Sequence, residues 1–464
     1  MWHCGLVRQQ VTRLVGPESL GGRKGEGCIE LAIPLEYRLP PPNTSRALYH
    51  AMNCPNQVSA SDEKEIEMSF MRRPLLPNRR DFMASVTAGA AAFTGSRFLP
   101  AASADETSDG LIIHGTSPMN AEPRLPDLVR SWMTPVENFY IRSHAPVPVI
   151  NQADFRLSIE GFVERPLSLS LKELSEGFEQ QSVVATMTCA GNRRSEHGVV
   201  KPVKGVQWRE GAIGNAKWSG IRLSDVLKRA GVKAEAKHVW FEGLDEITRS
   251  SGVIPFGASI PLEKALADTA SSPGALLTTM MNDYPLTGDH GAPLRTVVPG
   301  YIGARSVKWL GRVVVSDRPS SNHYVATAYK LVERGDPLEW SEQGPIYRMP
   351  LNSAICLPQS GSTRKPGQVS VSGYALPPGS PGATIAKVEV SVDGGDSWLV
   401  AKITSPVREN CWVLWQARVP VNVGFNGLAV RATDSNGKTQ PKTVDWNLKG
   451  YLFNAWHHVR VTGV

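Results

Sequence analysis

Hydrophobic positions along the chain fall into three kinds of run. Between Ser182 and Met187 they are apolar and β-branched enough for a buried strand. Phe155 to Glu160 alternates as a strand that stops at Gly161, a short helix follows near Leu171 to Leu174, and HVWFEG (238–243) reads as another strand. Leu223, Val226, Leu227 and Ala230 recur at helical spacing, with Ser224 available as a cap and Gly231 as a stop, which predicts an amphipathic helix packed on a sheet. Leu294 to Val298 and Arg312 to Val315 predict two strands flanking a glycine-rich link. After Gly344 the pattern changes. Past the prolines from Pro345 to Pro358, short strands with turn signals follow: QVSVSGYA, IAKVEVSVDGGDSW, CWVLWQARV and GLAVRATDSNGK. Val388, Val390 and Val392 alternate with Lys387, Glu389 and Ser391, and Asp393-Gly394-Gly395 supplies a hairpin turn. The expected class is α+β, with a helix-and-sheet domain followed by a β-sandwich of immunoglobulin-like pattern.

Length allows two or three domains, since the chain has 464 residues. The formal charge of +7 divides into +3 over the first 104 residues and +4 over the remainder, an excess too mild to argue for nucleic acid. No zinc-finger spacing, phosphate-binding P-loop or dinucleotide G-x-G-x-x-G occurs. Residues 1–67 show no sustained period, which suits a disordered or untranslated segment. Residues 68–104 hold the paired Arg79 and Arg80, a weak apolar core ending near Gly95 and the small-residue site Ala102-Ser103-Ala104. That pattern looks like a twin-arginine signal for export of a folded protein to the periplasm, with translation starting at Met68 or Met71; its apolar run is too short to span a bilayer. Of six cysteines, Cys4, Cys28 and Cys54 precede this signal, leaving Cys189, Cys356 and Cys411. Cys356 and Cys411 are equally a possible bridge or two free buried thiols.

Candidate chemistry centres on TMTCAGNRRSEH, Thr186 to His197. Cys189 falls where a strand ends and side chains can face a cleft, Gly191 and Asn192 permit a tight backbone, and a thiolate near Arg193 and Arg194 has a lowered pKa suited to a metal ligand or nucleophile. A lone cysteine is also commonly a small buried hydrophobe, and the C-x4-R spacing of Cys189 and Arg194 equally fits a sulfurtransferase or phosphatase loop. In NFYIRSHAPVP, Arg142 and His144 alternate on an extended run and share one side; alone they also read as surface polar residues. Lys204 and Trp208 lie on a turn-rich path after the cysteine loop, and Asp245 ends the FEGLD string. Asn282 to Val315 carries His290, Arg295, Ser306 and Lys308, a set able to bind phosphate through charge and backbone N–H groups, or simply a glycine-rich strand connection. Tyr324 and Tyr329 stand in SNHYVATAYKLV.

In one order from about Asn138 to the C-terminus, these motifs resemble the sulfite oxidase family of molybdopterin enzymes. The resemblance implies Cys189 as the sulfur ligand of molybdenum, and Arg142, Arg194 and Lys449 around the substrate oxyanion. It makes Trp208 one wall of the substrate pocket and Tyr329 the active-site tyrosine, with Tyr324 a weaker candidate. For the pterin and its phosphate it implies the run Tyr140, Ile141, Arg142, Ser143 and His144, together with Lys204, Asp245, His290, Arg295 and the run Ser306, Val307 and Lys308. One position departs: animal members carry arginine where this chain has Lys449, which keeps the charge but loses the planar two-donor fork. The implied domains are a molybdopterin-binding catalytic domain at 105–350 and an immunoglobulin-like dimerisation domain at 351–464.

The resemblance thus leads us to expect an exported bacterial enzyme without a haem domain, a homodimer by family habit, that oxidises sulfite with molybdenum and molybdopterin. No C-x-x-C-H haem attachment sequence is present, so the expected acceptor is an external c-type cytochrome. A sulfane-sulfur dehydrogenase or a nitrate reductase would use the same cofactor. Readings from other classes are a metal-free cysteine sulfurtransferase and a β-sandwich binding protein that has lost its metal.

Overall fold

In the computed structural model, residues 110–269 and 272–464 are described; the expectations for 1–67 and 68–104 lie outside them. The strand expected before Cys189 runs over Gln180–Thr188 and pairs antiparallel along its whole length with Ile213–Arg222. Leu276–Met281 adds to the other side of that partner, and both Tyr284–Pro285 and Arg295–Val297 pair with it. A second sheet orders Gly257–Pro261, His238–Gly243, Leu310–Ser316, Leu157–Gly161 and Leu167–Leu169. Only its Leu310–Ser316 and Leu157–Gly161 pair is parallel.

Between these sheets lies one apolar core that includes Leu157, Ile159, Val239, Phe241, Leu277 and Val313. The helix Leu223–Ala230 presses Leu223, Val226, Leu227 and Ala230 into it, all fully buried as the spacing required. Gly231 ends that helix at φ +72, a conformation that favours glycine. Ser224 does not cap it. The preceding strand runs straight into the helix, so Arg222 takes the cap position with extended backbone, and the Leu223 amide donates to the Ala275 carbonyl across the sheet. The short helix is longer than expected, Leu171–Glu176, because Ser170 and Glu173 form a reciprocal capping box.

The C-terminal region folds as two sheets over a shared core. Asn352–Leu357, Gly367–Leu376, Val413–Val421 and Lys402–Ile403 make one; Thr363–Arg364, His457–Gly463, Gly424–Asp434, Ile385–Ser391 and Leu399–Val400 make the other. Alternate residues such as Val371, Val388, Val390, Trp415, Val419, Leu428 and Val459 meet between them. Asp393-Gly394-Gly395 does turn the chain, but inside a longer loop joining Ile385–Ser391 to Leu399–Val400, where Ser391 and Asp393 accept backbone hydrogen bonds. Cys356 and Cys411 are free and buried, which removes the bridge; burial pushes the Cys411 thiol up to about 12, and it donates to the Val184 carbonyl.

A third apolar cluster crosses from the N-terminal sheets to the C-terminal ones, taking in Ala190, Ile213, Tyr329, Tyr374, Trp412 and Tyr451. Arg193 reinforces this junction. Its guanidinium, with no exposure, pairs with Glu196 and donates to Asn352 Oδ1 at 2.8 Å and to the Ala455 carbonyl at 2.8 Å. The expectation that it flanks the Cys189 thiol is therefore corrected: at φ +64 it turns towards the second region, and only its neighbour Arg194 stays with the cysteine loop. No helix among the described residues is long and apolar enough to cross a membrane.

Candidate active site

Cys189 sits one residue past the Gln180–Thr188 strand, held by its amide to the Ala212 carbonyl at 2.9 Å. Its Sγ accepts from the Gly191 amide at 3.4 Å and faces a cleft with about 680 Å³ of empty space, the open solvent at its mouth included. Eleven of the expected residues line this cleft, Cys189 itself among them: Tyr140, Arg142, Ser143, His144, Cys189, Asp245, His290, Arg295, Ser306, Lys308 and Tyr329. They come from loops and strand ends of both N-terminal sheets and from the small sheet that holds Ile141–Arg142.

Arg142 and His144 do share a side. Arg142 Nη2 donates to His144 Nε2 at 2.7 Å, while its Nη1 donates to Asn120 Oδ1 at 3.0 Å. Accepting that bond leaves the His144 proton on Nδ1. The Tyr329 hydroxyl stands 3.3 Å from the same Nε2. Phe256 stacks on His144 with ring centroids 4.8 Å apart, and Tyr324 packs on it at 4.5 Å. Burial, aided by the Arg142 and Lys308 charges, holds His144 well below its usual pKa, so the ring is neutral. Burial likewise raises the Tyr329 hydroxyl well out of the physiological range.

Elsewhere in the lining, Arg295 Nη1 donates to the His290 carbonyl at 2.8 Å and Nη2 to Met187 Sδ at 3.2 Å. Lys308 Nζ donates to Ser143 Oγ at 2.6 Å and the Asp289 carbonyl at 2.8 Å. Burial depresses all three groups, Arg295 to about 10, Lys308 to about 7 and His290 to about 3, and the Arg295 charge adds to it at Lys308 and His290. Asp245 is raised, chiefly by burial, and its Oδ1 accepts from the Phe256 amide at 3.0 Å.

Other expected residues lie elsewhere. Arg194 packs behind the cysteine loop, donating through Nε to the Lys449 carbonyl at 3.0 Å and through Nη1 to the Val206 carbonyl at 2.9 Å. Three glycines shape its berth: a Cβ on Gly191, Gly205 or Gly450 would meet the Arg194 side chain at 2.6 to 2.8 Å. Trp208, fully buried against the His114 ring, is not among the residues lining the cleft, and its indole nitrogen has no hydrogen-bond partner among the described residues. Lys204 is exposed on the turn beyond it. Ile141 pairs with Ala121 in a small sheet, and Val307 is fully buried with its amide on Thr296 Oγ1, so both position their neighbours through backbone. Lys449 is half-buried, its Nζ 5.6 Å from the Trp340 ring.

Family comparisons match this geometry to known proteins. A model described as an oxidoreductase molybdopterin binding domain matches residues 144–324, and a molybdopterin-cofactor oxidoreductase dimerisation domain matches 343–463. Sulfite oxidase of Gallus gallus is 42% identical over 361 residues, covering 75% of this chain and 77% of that one. The chain belongs to the sulfite oxidase family. Mitochondrial sulfite oxidase of Drosophila melanogaster is 43% identical over 74% of this chain, which spans only 62% of that relative's length. Among solved structures, the sulfane dehydrogenase SoxCD of Paracoccus pantotrophus aligns with a TM-score of 0.64 at 26% identity, covering 79% of this chain and 94% of that one.

The family's cofactor is molybdenum held by molybdopterin, and the cleft fits it. Arg142, Arg295 and Lys308 line the cleft with no carboxylate in salt-bridge distance among the described residues, although Asp245 and Asp289 line it too. Cations enclosed without counter-ions lose pKa, as Arg295 and Lys308 do, and a phosphate-bearing anion seated among them would remove that penalty. Cys189 supplies the soft sulfur donor such a metal takes. Sequence reading missed Phe139, Met187, Phe256, Asp289 and Trp309, which also line the cleft, and Tyr451, whose ring stacks on Tyr329 with centroids 5.2 Å apart. An aromatic beside a glycine, as at Phe256-Gly257, carries no signal of its own; only the tertiary stack on His144 gives it a role.

Proposed function

We propose that this protein oxidises sulfite to sulfate. The observation that carries the reading is the Cys189 sulfur opening onto a cleft walled by Arg142, Arg295 and Lys308, none of which has a carboxylate within salt-bridge distance among the described residues. When bound there, the molybdenum cofactor supplies oxygen-atom transfer and two-electron chemistry. Cys189 would hold the metal; His290, Arg295, Ser306 and Lys308 would hold the pterin and its phosphate. Arg142, fixed by Asn120 and His144, presents a fixed positive charge to the oxyanion. Tyr329 keeps its proton at neutral pH and donates it towards His144 Nε2, leaving the hydroxyl able to turn to a substrate oxygen.

Sulfite and water give sulfate, two protons and two electrons, and a c-type cytochrome would accept the electrons singly. The remaining parts of the reading rest on sequence: export to the periplasm by the twin-arginine signal, domains divided at 350 and 351, an immunoglobulin-like topology for the C-terminal sheets, and a homodimer formed through them. A second reading, oxidation of sulfane sulfur, is favoured by the likeness to SoxCD. Molybdenum and pterin analysis of purified protein, followed by cytochrome reduction assays with sulfite, protein-bound sulfane sulfur and nitrate, tests these together. Turnover with sulfite alone is expected; activity confined to sulfane sulfur replaces the reading, and an active preparation without molybdenum removes it.

A further inference from the structure

Next to the cleft, joined to it through Tyr324, stands a cation that no motif predicted. Arg249 ends the strand Ile247–Arg249, which pairs with Gly252–Ile254 as a hairpin starting two residues after the cleft-lining Asp245. It is half-buried, hydrogen-bonds the Tyr324 side chain, and has no ion-pair partner among the described residues. Tyr324 in turn lies 4.5 Å from the His144 ring and 6.4 Å from Tyr329, so Arg249 stands one aromatic ring away from the cleft. From there its charge reaches across the entrance. Burial is the first cause of the lowered pKa at His323 and Lys449, and Arg249 adds to it at both. Lys449, set on the C-terminal segment, is therefore near enough to Arg249, set on the hairpin, to feel its charge.

We propose that Arg249 is the outer capture residue for doubly charged oxyanions at this cleft, supplying from the hairpin the planar cation that position 449 lacks. The inference deepens the reading of the cleft as a sulfite site and rests on it for the substrate class. Two cations flanking an opening with low-dielectric walls focus the field and raise the local concentration of a dianion, and an arginine fork adds directional donors once the anion arrives.

The test compares wild-type holoenzyme with Arg249→Gln and Arg249→Lys, and with Lys402→Gln on the C-terminal sheets as a charge control. Sulfate, the product anion, is titrated by calorimetry at fixed ionic strength, and sulfite kinetics are measured alongside. Arg249→Gln is expected to weaken sulfate binding about fivefold and to raise KM for sulfite by about the same factor, with a much smaller change in kcat and a shallower salt dependence. Arg249→Lys should recover part of the loss. Sulfate affinity in Arg249→Gln equal to that of Lys402→Gln overturns the proposal. Because sulfate binding is read without turnover, a wild-type enzyme inert towards sulfite defeats the proposed function while leaving the capture role to be judged by the titration.

Discussion

Replacing Arg193 with methionine deletes one guanidinium and keeps an apolar stem, which makes it a sharp probe of the junction between the two regions. The group has no exposure and donates to Asn352 Oδ1 and the Ala455 carbonyl at 2.8 Å, to the Ser353 and Trp456 carbonyls at 3.2 Å, and to both Glu196 oxygens. Glu196 keeps water on a side chain 25% exposed, so its share is small. The other four acceptors lose their donor inside the fold, at about 1 kcal/mol each, which gives a destabilisation of about 3–5 kcal/mol. Urea unfolding followed by tryptophan fluorescence measures it. A double-mutant cycle with Asn352→Ala should return a coupling of about 1–2 kcal/mol. A loss below about 1 kcal/mol, or no coupling, would refute the account of Arg193 as the tie between cysteine loop and C-terminal sheets.

Further expectations follow from the same geometry. Cys189→Ser should keep the fold and the pterin while nearly abolishing turnover, since a hydroxyl is a poor substitute for a soft ligand; near-normal activity with full metal content would sink the ligand assignment. Lys308 has its pKa lowered to about 7 by burial and Arg295, below the unfolded value, so between pH 7 and about 10.5 the unfolded chain binds more protons. The pterin-free protein should gain stability as pH rises through that window, and Lys308→Met should flatten the slope; an unchanged slope contradicts the enclosed lysine. Burial pushes Glu210 up, but the His457 hydrogen bond at 3.1 Å and nearby charges win and bring it down to about 2. Its stabilisation is present above about 4.5 and lost as pH falls towards 2. Acid unfolding of Glu210→Gln should lack that component, and a profile matching wild type would show the pair to be inert.

Much of the cleft was legible because its residues sit at strand ends whose period is local. The run before Cys189 and the HVWFEG strand set where side chains emerge, and motif order then drew Arg142, His144, His290 and Arg295 to one place. What stayed hidden depends on contacts far apart in sequence. Arg193 and Arg194 are indistinguishable as neighbours, yet a left-handed backbone at the first sends it to Asn352 while the second stays beside Cys189. Trp208 reads as a pocket wall, yet its ring packs edge-on against His114 and does not line the cleft. Ser224 has capping chemistry, but an incoming strand with its own hydrogen bonds occupies the position first.

The berth of Arg194 has a consequence for the order of synthesis. Every cleft-lining side chain precedes residue 330, but the carbonyl that grips Arg194 belongs to Lys449, 255 positions later. A chain released only as far as residue 350 thus lacks the acceptor for the Arg194 Nε, and that side chain reaches its final berth only after the segment carrying Lys449 has emerged and folded back.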